Sequence, residues 1–197
     1  MAASTNKKAV NMAELEEARD KVRWGRERRS RIMDEGEKLV TAYHEAGHAV
    51  VMNALPESDP VRKVSIIARG MAAGYTISLP MEDQTLMPRK KLIAEMIGLL
   101  GGRAAEELVF DDITSGASND IERVTQLART MVTRLGMSAE LGPMVYGQKE
   151  ELIFLGREIS EQRDYSEQVA EKIDKEVRTL VSEAYDRARE ILTKYRK

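Results

Sequence analysis

The stretch DEGEKLVTAYHEAGHAVVMNALP, residues 34–56, predicts the helix around which this protein folds. Asp34 stands where an N-cap is expected, with Glu37 three residues later, and Pro56 marks the end of the helix. Between these ends, apolar or small residues recur at helical spacing. They are Leu39, Val40, Tyr43, Gly47 and Val50. We therefore expect a core helix that buries one face.

The chain has only two histidines, and both lie in this helix as His44 and His48, with Glu45 directly after the first. Residues four apart on a helix face the same way, so both imidazoles can reach one zinc ion. Glu45 lies about 100° around the helix from His44, close enough to act on a water at the metal without binding the metal itself. The H-E-x-x-H spacing therefore predicts a zinc site with Glu45 as the catalytic base.

A catalytic zinc ion takes three protein ligands as a rule, so the motif leaves one to be found. The chain has no cysteine and no third histidine, which leaves Asp or Glu. Glu57 follows the helix end too closely, because its chain would have to turn back at once. Residue type and spacing do not separate the remaining candidates. These are Glu106, Glu107, Asp111, Asp112 and Asp120.

The rest of the sequence predicts a mainly α fold with a small β-sheet, in the α+β class. Four further helices are predicted from their caps and apolar periods, and two short β-branched segments predict a hairpin. The helices are 11–24, 88–109, 119–135 and 166–197, and the strands are 61–69 and 75–79. Glycines at 98, 101 and 102 weaken the prediction of one continuous helix over 88–109. Residues 137–165 read as irregular.

Composition excludes several classes of protein. The chain has 197 residues, no cysteine and a formal net charge of -2, which argues against a disulfide scaffold and against a nucleic-acid-binding protein. No apolar stretch approaches the roughly 18 residues of a membrane span, so the chain as given is expected to be soluble. It also lacks G-x-x-x-x-G-K-[ST], the phosphate-binding loop, and is not expected to bind ATP in that manner.

Several longer motifs together resemble the peptidase domain of the FtsH-type ATP-dependent zinc metalloproteases. These are HEAGHAVV, SIIARG, LLGGRAAEELVF, TSGASNDIERVTQLARTMVTRLGMS, FLGREIS and RDYSEQVAEKID. The resemblance implies a zinc-dependent endopeptidase that binds one Zn²⁺ per chain. Residue by residue, it implies that His44 and His48 bind the zinc, that Asp120 is the third ligand, and that Glu45 is catalytic.

The same resemblance implies how the chain is organised. Residues 1–33 resemble an arm that ends the lid of an AAA ATPase module, plus a linker, and 34–197 resemble the zinc metallopeptidase domain. In the family this domain belongs to a hexameric, membrane-anchored protease on the cytoplasmic, matrix or stromal side. That protease degrades unfolded or damaged membrane and soluble proteins. The ATPase module and the membrane anchor are expected in a missing N-terminal part.

An extended substrate needs a strand to pair with, and residues 64–69 are the predicted edge for it. The predicted substrate-binding residues are Val64, Ser65, Ile66, Ile67 and Ala68. No residue is assigned to the oxyanion, although tyrosines such as Tyr43 or Tyr75 come into consideration. Two other functions stay open: a zinc hydrolase of non-peptide substrates, and a non-catalytic, zinc-stabilised oligomerisation module.

Overall fold

A computed structural model describes residues 8–27, 33–68, 73–80, 85–147 and 165–196. Within these ranges the chain forms five α-helices, one short 3₁₀ helix and two strands. They are α1 (Met12–Trp24), α2 (Glu35–Ala54), β1 (Val61–Ser65), β2 (Tyr75–Ser78), α3 (Arg89–Phe110), the 3₁₀ helix Ser115–Ala117, α4 (Ser118–Thr133) and α5 (Glu167–Tyr195). The predicted class, mainly α with a small sheet, is confirmed. Part of the predicted linker, 28–32, and most of the predicted irregular segment, 148–164, lie outside the described residues.

Side-chain caps fix where three of the helices begin. The Asn11 side chain accepts the backbone N–H of Glu14, whose carboxylate accepts the N–H of Asn11 in return, which is the predicted capping box. Asp34 accepts the N–H of Glu37 at the start of α2, and Ser166 accepts that of Val169 at the start of α5. Because these contacts are local, the sequence predicts these starts to within a residue.

Helices α2 and α3 cross with their backbones in contact. A Cβ added to Gly47 would lie 2.4 Å from the carbonyl oxygen of Gly101, and one added to Gly101 would lie 2.8 Å from that of Gly47. Only glycine permits this approach at both positions. Helix α3 runs unbroken through Gly98, Gly101 and Gly102, so the glycines serve packing rather than interrupting the helix.

Helix α3 is the centre of the core, since α2, α4 and α5 all pack on it. Met96 of α3 and Met131 of α4 are both fully buried there. An apolar stripe of α5 covers the other side of the core. Its buried members are Ile173, Val177, Leu180, Ala184, Ala188 and Ile191. The core thus fixes α3 and α4 relative to the histidine helix.

The two strands form an antiparallel pair in which Ser65 lies opposite Tyr75 and Val64 opposite Thr76. The pair is shorter than predicted, because β1 ends at Ser65 rather than at residue 69. The Ser65 hydroxyl accepts the backbone N–H of Ile67, a local bond that competes with the strand ladder and turns the chain away. Ile66, Ile67 and Ala68 are therefore not part of the strand.

The N-terminal helix α1 contacts the sheet through charged side chains. Arg62 of β1 pairs with Glu16, and Lys63 lies within 4 Å of Glu17, Asp20 and Glu27. Lys63 also lies over the Tyr75 ring, 5.5 Å from its centroid. Ion pairs therefore contribute to this contact.

In the described part of the chain, no helix combines the length and the apolar character that crossing a membrane requires.

Candidate metal centre

Three side chains converge where α2, α3 and the start of α4 meet. His44 and His48 lie one turn apart on α2, with their Nε2 atoms 3.0 Å from each other. Oδ2 of Asp120, in the first turn of α4, lies 3.3 Å from both Nε2 atoms. Within the described ranges, these three are the one group of such residues placed to hold a metal ion.

Hydrogen bonds to the far side of each ring decide which nitrogen faces the centre. His44 Nδ1 lies 2.6 Å from Oε1 of Glu106, and His48 Nδ1 lies 2.8 Å from the carbonyl oxygen of Gly98. Both partners can only accept, so each Nδ1 carries the hydrogen. Each neutral ring then directs an Nε2 lone pair at the other and at the Asp120 carboxylate. All three groups thus offer lone pairs to one point, an arrangement that suits a metal ion between them.

The dimensions of the cluster fit zinc. Ligand atoms about 2.0 Å from a tetrahedral ion are about 3.3 Å from one another, which matches the separations between Asp120 and the two imidazoles. Gly102 leaves the necessary space, because a Cβ there would lie 2.5 Å from Nε2 of His44 and 2.6 Å from Nε2 of His48. Two imidazole nitrogens and one carboxylate oxygen also form the ligand set of a catalytic zinc site with one position left open.

Charge also favours a cation at this point. Burial raises the pKa of Asp120, but the adjacent imidazoles of His44 and His48 outweigh it and hold that pKa well below its usual range. Burial lowers the pKa of His44, yet the neighbouring carboxylates of Asp120, Glu106 and Glu45 raise it overall. The raised pKa of His44 reports the negative charge of the carboxylates around its imidazole, which a metal ion would neutralise.

Glu106 supports the cluster without belonging to it. Its carboxylate is buried; Oε1 accepts from His44, and Oε2 accepts the backbone N–H of Thr114 at 2.8 Å. It therefore connects α2 to the loop that leads into α4 and Asp120. A spacing in the sequence indicates this role. Gly98, Gly102 and Glu106 lie four positions apart, which is also the spacing of His44 and His48. That repeat places the carbonyl of Gly98, the gap at Gly102 and the Glu106 carboxylate on one face of α3.

The other sequence candidates for the third ligand lie elsewhere. Glu107 accepts a hydrogen bond from the Tyr185 hydroxyl of α5 and lies 3.7 Å from Arg189. Asp111 ends α3 with φ 52°, and Asp112 accepts the N–H of Ile113 in the exposed turn that follows. Glu57 lines the cleft described below but is not part of the metal-ligand group.

Glu45 is 6% exposed and faces an open cleft of about 910 Å³. Its Oε2 accepts a hydrogen bond of 2.7 Å from the Thr76 hydroxyl of β2. Burial raises the pKa of Glu45, and the bond from Thr76 opposes that rise without cancelling it. A carboxylate with a raised pKa beside a metal is suited to accept a proton from water and to return it.

The strand that lines this cleft is β2, not β1. The cleft is lined by all four residues of this strand, Tyr75–Ser78, and by none of the predicted residues Val64–Ala68.

Of the two tyrosines considered for the oxyanion, one lines the cleft and the other does not. Tyr75 lines the cleft with its hydroxyl 3.4 Å from Glu27, and Tyr43 packs edge-on against Phe110 outside it. The sequence identified the hairpin but could not tell which strand faces the metal.

We expect the adjacent glutamates 106 and 107 to respond differently to the same substitution. Glu106→Gln should weaken zinc binding about 10- to 100-fold, because the amide cannot accept from both His44 and Thr114. Glu107→Gln should leave zinc affinity unchanged, since its contacts are with α5. Zinc titration against a competing chelator measures both. Equal zinc affinities for the two variants would contradict this role of Glu106.

Comparison with known proteins adds a family match. The sequence model of peptidase family M41 matches residues 31–197. Among similar proteins, "ATP-dependent zinc metalloprotease FtsH 1" of Sphaerobacter thermophilus is 56% identical over 195 residues, which is 99% of this chain and 30% of that protein. "ATP-dependent zinc metalloprotease FtsH" of Thermotoga maritima is 52% identical over 198 residues, covering 100% of this chain and 32% of that protein. This chain thus spans about a third of the length of these relatives.

Proposed function

Because this chain belongs to peptidase family M41, we propose that it is a zinc-dependent endopeptidase. In this proposal, His44, His48 and Asp120 bind one zinc ion and Glu45 is the general base. The observation that carries it is the convergence of the Nε2 atoms of both imidazoles and one carboxylate oxygen within 3.0 to 3.3 Å of one another. Glu45 adjoins His44 and faces the same cleft.

In the proposed peptide hydrolysis, the metal ligands, the general base and the groups behind the imidazoles have separate roles. His44, His48 and Asp120 would hold a zinc ion, which would supply a Lewis acid for the scissile carbonyl and for water. The Glu45 carboxylate takes a proton from the attacking water and delivers it to the departing amine. Glu106 and the carbonyl of Gly98 keep the hydrogens of both rings on Nδ1, so that each Nε2 stays available as a ligand.

The open cleft supports a polypeptide substrate in an extended conformation. Strand β2 pairs with β1 along one edge and lines the cleft. A substrate strand that adds to its other edge would bring its carbonyl groups past Glu45. We therefore place substrate pairing on Tyr75–Ser78 of β2 rather than on the sequence-predicted Val64–Ala68, because the latter do not line the cleft.

For the whole protein, we propose the proteolytic part of a longer, ATP-dependent and membrane-anchored protease. The names of the relatives and their threefold greater length support this. An AAA ATPase module would supply the ATP dependence, because this chain has no G-x-x-x-x-G-K-[ST]. The full-length protein is proposed to form a homohexamer with this domain on the cytoplasmic, matrix or stromal side, and to degrade unfolded or damaged proteins.

Substrate class tests the proposal. The purified chain with zinc is expected to cleave unfolded casein, and to leave a tightly folded reporter protein intact even when ATP is present. Casein that stays intact while small esters are hydrolysed would favour a non-peptide hydrolase. Zinc binding with no hydrolysis at all would favour the oligomerisation module. Degradation of the folded reporter with ATP would contradict the assignment of unfolding to another module.

A further inference from the structure

We propose that Thr76, on strand β2, is a positioning residue for Glu45. Its hydroxyl holds the carboxylate of the general base and thereby connects that base to the strand that lines the substrate cleft. This inference rests on the proposed function, since it assigns a role within that reaction. It is carried by contacts around Glu45 that the metal cluster does not involve.

The first contact is the hydrogen bond itself. Thr76 Oγ1 lies 2.7 Å from Oε2 of Glu45, within the range of a hydroxyl that donates to a carboxylate. Among the residues that the structure describes, Thr76 is the single hydrogen-bond donor to this carboxylate. The same Oγ1 lies 3.1 Å from the backbone oxygen of Glu45. A hydroxyl has one hydrogen to give, and the charged carboxylate is the stronger acceptor.

The second observation concerns the other carboxylate oxygen. Oε1 of Glu45 lies against the backbone of Gly74, where an added Cβ would be 2.8 Å from Oε1 and 2.9 Å from Cγ. In the described part of the chain, no donor binds Oε1. The two carboxylate oxygens therefore differ in their hydrogen bonds. Oε2 accepts from Thr76, and Oε1 remains able to accept the proton of a water.

The backbone holds Thr76 in place. It lies opposite Val64 in the antiparallel pair, and its β-branched side chain has restricted rotation about χ1. The hydroxyl is thus presented from a rigid element rather than from a loop. Glu45 is a longer side chain with three χ angles, so a fixed donor at its end removes much of its freedom. Fixing a general base in this way raises the turnover rate without adding a contact to substrate.

Three variants test the proposal. Thr76→Val keeps the shape but removes the hydroxyl, and should lower kcat on a flexible fluorogenic peptide about 10- to 100-fold. KM and zinc affinity should stay within about twofold of the wild-type values. Thr76→Ser restores the donor and should recover most of kcat. Thr125→Val is the control, because Thr125 is an exposed α4 threonine whose hydroxyl donates to the carbonyl of Ile121 in its own helix.

Several results would overturn the role of Thr76 while leaving the proposed function intact. They are a Thr76→Val enzyme with wild-type kcat, an effect on KM alone, and equal losses in the Val and Ser variants. If circular dichroism shows that the Val variant does not fold, Thr76→Ala against Thr76→Ser gives the same comparison. A wild-type chain that binds zinc and cleaves no peptide would instead overturn the proposed function itself.

Discussion

Glu45→Gln is expected to retain zinc and to lose at least about 100-fold in the rate of casein cleavage. The substitution keeps the size of the side chain and all three proposed metal ligands, but an amide cannot accept and return the proton of a water. General acid–base catalysis contributes about 10²- to 10⁴-fold in enzymes, which sets the expected range. Zinc analysis and a casein assay on the same preparation measure both quantities.

The matched control for this variant is Glu183→Gln, an exposed glutamate on α5. It should cleave casein at the wild-type rate. Substantial turnover by Glu45→Gln with zinc retained would mean that another group takes the proton. Loss of zinc from Glu45→Gln would instead mean that Glu45 contributes to metal binding.

Asp120→Asn is expected to lower zinc affinity more than about 100-fold and to abolish cleavage in the same step. The change removes the anionic ligand at nearly constant size. Loss of partners that only orient a ligand costs about 10- to 100-fold in metal affinity, so loss of the ligand itself should cost more. It also removes the negative charge that would offset that of a zinc ion between Oδ2 and the two Nε2 atoms, each 3.3 Å from Oδ2.

Asp112→Asn is the control for this second variant, because Asp112 lies in the loop that leads to Asp120 and accepts a local turn bond from Ile113. It should keep wild-type zinc affinity and activity. If Asp120→Asn kept full zinc and activity while Glu106→Gln lost both, the third ligand would be Glu106 and the assignment would be wrong.

The parts of the site that the sequence predicted are local in the chain. His44, Glu45 and His48 follow from the periodicity of a single helix, and the Asn11 and Asp34 caps need only residues three positions away. Such short-range relations are visible without a structure. The mainly α fold follows in the same way, because apolar periods identify each helix separately.

The parts that the sequence left open depend on contacts far apart in the chain. Asp120 reaches His44 across 76 positions, and residue type and spacing alone gave it no advantage over Glu106 or Asp112; the family resemblance supplied the preference. Glu106 was one of five carboxylate candidates, and its role depends on how α3 crosses α2 at Gly47 and Gly101. The end of β1 was missed because the Ser65 hydroxyl accepts the backbone N–H of Ile67, a local competition that β-branched composition does not reveal.

Zinc titration into chelator-treated chain, with casein cleavage followed at each addition, tests the central claim most directly. The claim is that one zinc ion at His44, His48 and Asp120 carries the peptidase activity of this chain. Cleavage should be absent from the metal-free protein, rise in proportion to bound zinc and reach its maximum at one zinc per chain. Cleavage that persists without zinc, or full zinc occupancy of this site without cleavage, would contradict the claim.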